Sequence, residues 1–217
     1  MLVSRVEQNS GRIFFFADIA RSIRVGIAEK PKPVLKLDAG DMTRHYEVNT
    51  LGPLFLFQAF YPLLQKSSKA EKKFIITSTL AGSIGAAIPF PITSYGASKA
   101  AVNFVAIHIH LEHAQQDNIV VVPIHPGESP GRLSIDPVFW YTDLTLHDVL
   151  AYPGMVDTDM ASAAIDEFGG RENVAKMGIE ILTPEQSATG CKAVADAATV
   201  ESHGGKFFDY AGKSLPW

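Results

Sequence analysis

Two short runs rich in β-branched residues, 73–79 (KFIITST) and 118–125 (NIVVVPIH), stand on either side of one long helical stretch, 95–113. Neither run leaves a polar face for solvent, so both read as buried strands. Strands alternating with helices imply an α/β domain built on a parallel sheet. An earlier helix follows from the apolar spacing of Tyr46, Val48, Leu51, Leu54, Phe55, Phe57, Ala59, Phe60 and Leu63, with Asp41 as its expected N-cap. Its apolar arc is broad and needs more than one burial partner, such as the core plus a subunit interface. Residues 183–198 read as a further helix with Pro184 in its first turn, and 204–210 (GGKFFDY) as a last strand. Residues 26–37, rich in proline and lysine, read as a loop.

A chain of 217 residues with 47% hydrophobic and 19% charged residues suits a single globular domain. The net charge of -4 provides no basic surface, which argues against a nucleic-acid partner. Cys191 is the only cysteine, so an internal disulfide is impossible and a reducing, cytoplasmic setting is expected. The apolar run at 13–17 is far too short to span a membrane, and no clean cleavage site for a leader follows it.

Tyr95 and Lys99 lie four residues apart, which stacks a phenol and an ammonium on one helix face. An ordinary tyrosine has a pKa of about 10, and a fixed positive charge one turn away favours its phenolate, making the pair a candidate general acid/base. By itself such spacing most often marks a plain helix surface. Three neighbouring features change that reading. The strand before the helix ends in Ser78-Thr79, and hydroxyls at the C-terminal ends of parallel strands lie where open α/β sheets bind ligands. Asn49 places an amide inside an apolar helix, where it needs a specific partner. Residues 153–160 (PGMVDTDM) form a turn leading into a helix.

This ordered set resembles the short-chain dehydrogenase/reductase family, in particular its fungal ketoreductase-like members. The resembling elements are Asn49-x-x-Gly52, Ser78-Thr79-x-x-Gly82, Tyr95-x-x-x-Lys99, His125-Pro126-Gly127, 153–160 and the final Gly204-Gly205-Lys206-Phe207-Phe208. The resemblance implies an NAD(P)-dependent oxidoreductase that interconverts a carbonyl and a secondary alcohol, with NADP weakly favoured over NAD. Tyr95 would be the proton donor or acceptor. Lys99 would lower its pKa and hold the nicotinamide ribose, and Asn49 would hold a relay water. Thr79 falls where the family has its substrate-orienting serine, with Ser78 as the alternative. Val156 and Thr158 would touch the nicotinamide half. The two long helices are those through which the family forms homo-oligomers.

Two departures qualify the resemblance. No glycine-rich phosphate loop precedes Asn49, so the expected fold is a partial Rossmann-type, doubly wound parallel sheet lacking its N-terminal strands, with an open edge. About 27 residues also separate His125-Pro126-Gly127 from Met155, where the family runs on directly. Residues 26–127 and 154–217 are thus family-like, while 1–25 and 128–153 are atypical. The expectation drawn from this is a truncated start and a retained intervening segment, and the alternative function is a catalytically impaired or non-catalytic binding protein on the same fold. A third reading is a non-functional product of a damaged or misread gene. His108, His110 and His113 lack the spacing of a helix-borne metal site, so no metal is expected. Cys191 sits among small helical residues and reads as core.

Overall fold

The computed structural model describes residues 26–86, 90–127, 155–157, 161–162, 165–166, 168–176 and 179–217. The atypical segments 1–25 and 128–153, the strand edge expected to precede Gly26, and Thr158 lie outside the described residues.

Helix α1 (Ala39–Tyr46) is capped by Asp38, three residues before the cap expected from the sequence. Asp38 accepts from the Asp41 backbone N–H while Asp41 accepts from the Asp38 N–H, a reciprocal capping box with acidic residues at both ends. Asp41 therefore occupies the third helical position and is almost wholly buried. The single helix expected through Leu63 is in fact two, because a π-helical segment (Glu47–Leu51) separates α1 from α2 (Gly52–Lys66). Strand β1 (Lys72–Thr77) leads through a 3-10 turn (Leu80–Gly82) to α3 (Thr93–Asp117), which ends at Asn118 in the left-handed conformation with φ of 52°. A left-handed residue is a common way to stop a helix, and asparagine tolerates it better than most.

Strand β2 (Ile119–His125) pairs in parallel with β1, with Lys72 opposite Ile119 and Thr77 opposite Ile124. After it come β3 (Met155–Val156), α4 (Arg171–Lys176), β4 (Ile181–Leu182), α5 (Pro184–Ala197), β5 (Phe207–Asp209) and β6 (Ser214–Leu215). Among the described residues the main sheet runs β1-β2-β5-β6, with only β6 antiparallel, and β3 and β4 form a separate parallel pair. The seven-residue run expected as a last strand narrows to β5, because Gly204 and Gly205 belong to the preceding turn, and the short β6 follows it.

Every residue of β2 is buried, and alternate side chains enter different cores. Ile119 and Val121 pack with Val102, Ala106 and Ile109 of α3 and with Phe57 and Leu64 of α2. Val120, Val122 and Ile124 pack on the other face with Cys191 and Val194 of α5. This two-sided burial is the physical source of the continuous apolar run. Phe57 is locked into the first core by an edge-on contact with Phe74 at 5.2 Å between ring centres. Thr183 caps α5 through a capping box with Gln186, and Pro184 takes the first helical position as expected. No helix among the described residues is long and apolar enough to cross a membrane.

Candidate active site

The site forms where β1 ends, α3 begins and the π segment crosses them. Two glycines make the approach possible. An added Cβ at Gly82 would lie 2.7 Å from the backbone carbon of Lys99, and one at Gly96 would lie 2.7 Å from the carbonyl oxygen of Ala81. The 3-10 turn thus rests directly on the backbone of α3, and this contact brings Thr79 to the first turn of the helix.

The π segment supplies the second junction. One extra residue in the turn re-aims two consecutive polar side chains, Asn49 and Thr50, at α3. Thr50 Oγ1 donates to the carbonyl of Ser98 at 2.8 Å, and Asn49 Nδ2 donates to Ser98 Oγ at 2.9 Å. Asn49 also holds the incoming loop, accepting from Ile27 N–H at 2.8 Å and donating to Ile27 O at 2.9 Å. The specific partner this buried amide requires is therefore protein, and only the second lone pair of Oδ1 is left for a water.

The structure brings together Asn49, Thr79, Tyr95 and Lys99. Tyr95 keeps partial exposure, whereas Lys99 is 4% exposed. The Lys99 ammonium donates to the Thr77 carbonyl at 2.9 Å and lies 6.0 Å from the centre of the Tyr95 ring. Ser78 and Thr79 separate cleanly. Ser78 Oγ donates to Asn103 Oδ1 at 2.5 Å, facing away from the tyrosine, while the Thr79 hydroxyl is the hydrogen-bond partner of Tyr95. Val156 lies apart from these four, in the two-stranded ladder opposite Leu182. An open depression of about 450 Å³ beside that ladder is lined by Glu180, Leu182, Glu185, Gln186, Thr189 and Tyr210, so none of the four clustered residues forms its wall.

The electrostatics differ from the expectation. Burial pushes the Tyr95 phenol up to about 12, opposed by its hydrogen bond to Thr79, and pulls Lys99 down to about 8. Lys99 was expected to lower the tyrosine, yet in the protein alone desolvation governs both groups, and each is driven toward its neutral form. The lysine gives one hydrogen bond to the Thr77 carbonyl, and its ammonium lies 6.0 Å from the centre of the tyrosine ring.

Sequence reasoning missed the residues that hold the 26–32 loop against this site. His45 Nδ1 donates to the Asp41 carbonyl at 2.8 Å, and His45 Nε2 accepts from the Glu29 N–H at 3.2 Å, which requires the neutral ring. Arg44 grips the Glu29 carboxylate with two nitrogens, and Lys32 reaches Asp41 at 2.6 Å. The only signal for His45 was its place one turn before Asn49, on the inward side of α1.

His125 ends β2 and is 5% exposed, and burial pulls its pKa down to about 3. A base whose folded pKa lies below its unfolded value of about 6.5 favours folding fully only above the unfolded value. Stability is therefore expected to fall as pH drops from about 6.5 toward about 3. Urea unfolding across that range checks this, and a His125→Phe variant should show a shallower fall.

Residues 2–131 match the sequence profile of the short chain dehydrogenase family, and the chain belongs to that family. It is 32% identical over 197 residues to an uncharacterized oxidoreductase of Schizosaccharomyces pombe, covering 90% of this chain and 66% of that protein. It is 31% identical over 194 residues to the short chain dehydrogenase gsfK of Penicillium aethiopicum, covering 88% of this chain and 64% of that one. The chain thus spans about two thirds, or slightly less, of the length of the curated relatives it matches. Two solved structures share the fold. The carbonyl reductase Sniffer of D. melanogaster has a TM-score of 0.64 at 22% identity, over 88% of this chain and 63% of that one. An NADPH bound carbonyl reductase from chicken fatty liver has a TM-score of 0.63 at 23% identity, over 93% and 70%. The family and the Rossmann-type fold expected from the sequence are both established by these matches.

Proposed function

We propose that this chain carries the proton-transfer half of an NAD(P)-dependent oxidoreductase that interconverts a carbonyl and a secondary alcohol. The observation that carries the reading is the convergence of Tyr95, Lys99, Thr79 and Asn49 at the C-terminal end of β1. The residues present fit a nicotinamide cofactor. Among the described residues the Lys99 ammonium gives one protein hydrogen bond, leaving N–H groups for ribose hydroxyls. Gly26 keeps the space beside it clear, since a Cβ there would sit 3.8 Å from Lys99 Nζ and 3.5 Å from Asn49 Oδ1. Val156 and Thr158 are the proposed contacts to the nicotinamide side.

When bound, the reduced cofactor supplies hydride to the carbonyl carbon. Tyr95 gives its phenolic proton to the carbonyl oxygen as that oxygen gains negative charge, and Thr79 orients the hydroxyl. Lys99 stabilises the phenolate that remains. NADP is favoured over NAD because one of the structural relatives was solved with NADPH and another, from Burkholderia multivorans, with NADP. The second reading is a catalytically impaired or non-catalytic binding protein on the same fold. NADPH titration followed by fluorescence tests the first requirement of the oxidoreductase. Saturable binding is expected, and a flat titration at millimolar cofactor rejects that reading and leaves the second.

We also place the protein in the cytoplasm, as a single domain and a homo-oligomer. Phe55 on α2 and Phe104 and Leu111 on α3 are 56%, 62% and 67% exposed, which supports a subunit contact through these two helices. Light scattering should give a mass at least twice that of the 23.5 kDa chain. Phe104→Glu should reduce it to the monomer.

A further inference from the structure

Behind the Tyr95–Lys99 pair lies a second polar group that the proposed reaction does not use. Side chains alternate along β2, and Ile119 and Val121 face α3. The same alternation turns His125 toward α3. Phe74 and Ile76 of β1 also face that side, so Ser78 follows them, and its backbone N–H donates to Ile124 O directly beside His125. Asn103, one helical turn beyond Lys99, closes the group from above through its Oδ1, the acceptor of the Ser78 hydroxyl.

All three residues are buried, at 2%, 3% and 5% exposure for Ser78, Asn103 and His125. Three of their polar atoms have no protein partner: Asn103 Nδ2 and both ring nitrogens of His125. Buried polar groups are almost always hydrogen-bonded, to protein or to ordered water. The three atoms are also chemically complementary. Asn103 Nδ2 offers donors, and a neutral imidazole offers one donor and one acceptor. A water can accept from the amide and donate to the ring, which meets the two-to-four partner requirement of an internal site.

Resting on the function proposed above, we infer that Ser78, Asn103 and His125 enclose one ordered internal water, and that this closed network is a positioning device for Thr79. Ser78 precedes Thr79 in the chain, so fixing its hydroxyl to α3 fixes the direction in which Thr79 leaves the strand. Asn103 lies on the same helix as Tyr95 and Lys99. The network therefore ties the threonine and its tyrosine partner to a common support. Removing it leaves both residues present but lets their hydroxyls lose register, which lowers kcat and spares cofactor binding.

Two measurements decide the matter. In the ¹⁵N-labelled protein, magnetisation transfer should connect a long-lived water to the Asn103 side-chain amide and the His125 ring, and Asn103→Leu should abolish the ring signal. In ketone reduction, Asn103→Leu and Ser78→Ala should each lower kcat about tenfold while KM for NADPH stays within about twofold. A dry cluster in the parent overturns the inference, as do folded variants that keep the parental kcat. An inactive parent that nonetheless shows the bound water rejects the proposed reaction and the positioning role, while the water site itself stands.

Discussion

Replacing Tyr95 with phenylalanine is expected to lower the rate of ketone reduction by about a thousandfold while leaving NADPH affinity nearly unchanged. The change deletes one oxygen and keeps the ring, so the contact with His45, 6.4 Å between ring centres, and the packing of the first turn of α3 persist. The oxygen removed is the one that Thr79 holds. Without it, the alkoxide formed on the substrate loses the donor that stands beside Thr79 and must take its proton from water or from the more distant Lys99 ammonium. Lys99 remains in place, held by Thr77, with its other N–H groups open for the proposed ribose contact. A variant that lost cofactor binding and turnover together would instead indicate a structural role for the phenol. Steady-state kinetics with separate KM values for ketone and cofactor distinguishes the two outcomes.

Substituting alanine at Gly82 is expected to destabilise the protein by about 3 kcal/mol. The new Cβ would lie 2.7 Å from both the carbonyl carbon and the Cβ of Lys99, and 2.9 Å from the nitrogen of Ala100. All but one of these atoms belong to the backbone of a 25-residue helix, so no side-chain rotation relieves the overlap. The turn and the helix must separate. Separation moves Thr79 from Tyr95 and loosens the Lys99–Thr77 bond, so activity falls along with stability. A decrease in Tm of roughly 6–12 °C is expected for a chain of this size. Gly52 offers the comparison, since an added Cβ there meets nothing within 4 Å. A Gly52→Ala variant should melt close to the parent, because alanine also favours the helix.

The contrast between these two glycines shows what the sequence carries and what it does not. Both belong to motifs that resemble the family, yet only one is a point of close approach, and no local pattern distinguishes them. The strands were legible because two-sided burial leaves a continuous apolar run in β2, while β1 keeps a shorter one in which Phe74 and Ile76 are buried and Ile75 half-buried. Tyr95 and Lys99 were legible because helical spacing alone places them on one face. Thr79 was legible through its position after a strand, and the rotation that separates it from Ser78 became clear only from the Asn103 contact.

The π segment left no trace in the periodicity. One extra residue in a turn changes the direction of Asn49 and Thr50 without altering which neighbouring positions are apolar. The cap of α1 shifted for a related reason. Asp38 and Asp41 both satisfy the chemistry of a cap, and the reciprocal hydrogen bonds that assign their roles are geometric. The partners of Asn49 were out of reach as well, since Ile27 and Ser98 lie 22 and 49 residues away. The expected lowering of the Tyr95 pKa is not seen in the protein alone, because spacing says nothing of desolvation, which here governs both groups.

The most direct test of the central claim is ketone-dependent oxidation of NADPH by the purified chain, followed by the loss of cofactor absorbance. The account predicts turnover that saturates in both substrates and disappears in the Tyr95→Phe variant, which still binds NADPH. Saturable NADPH binding without oxidation, across a panel of aliphatic and aromatic ketones, would contradict it and leave a binding protein built on the same fold.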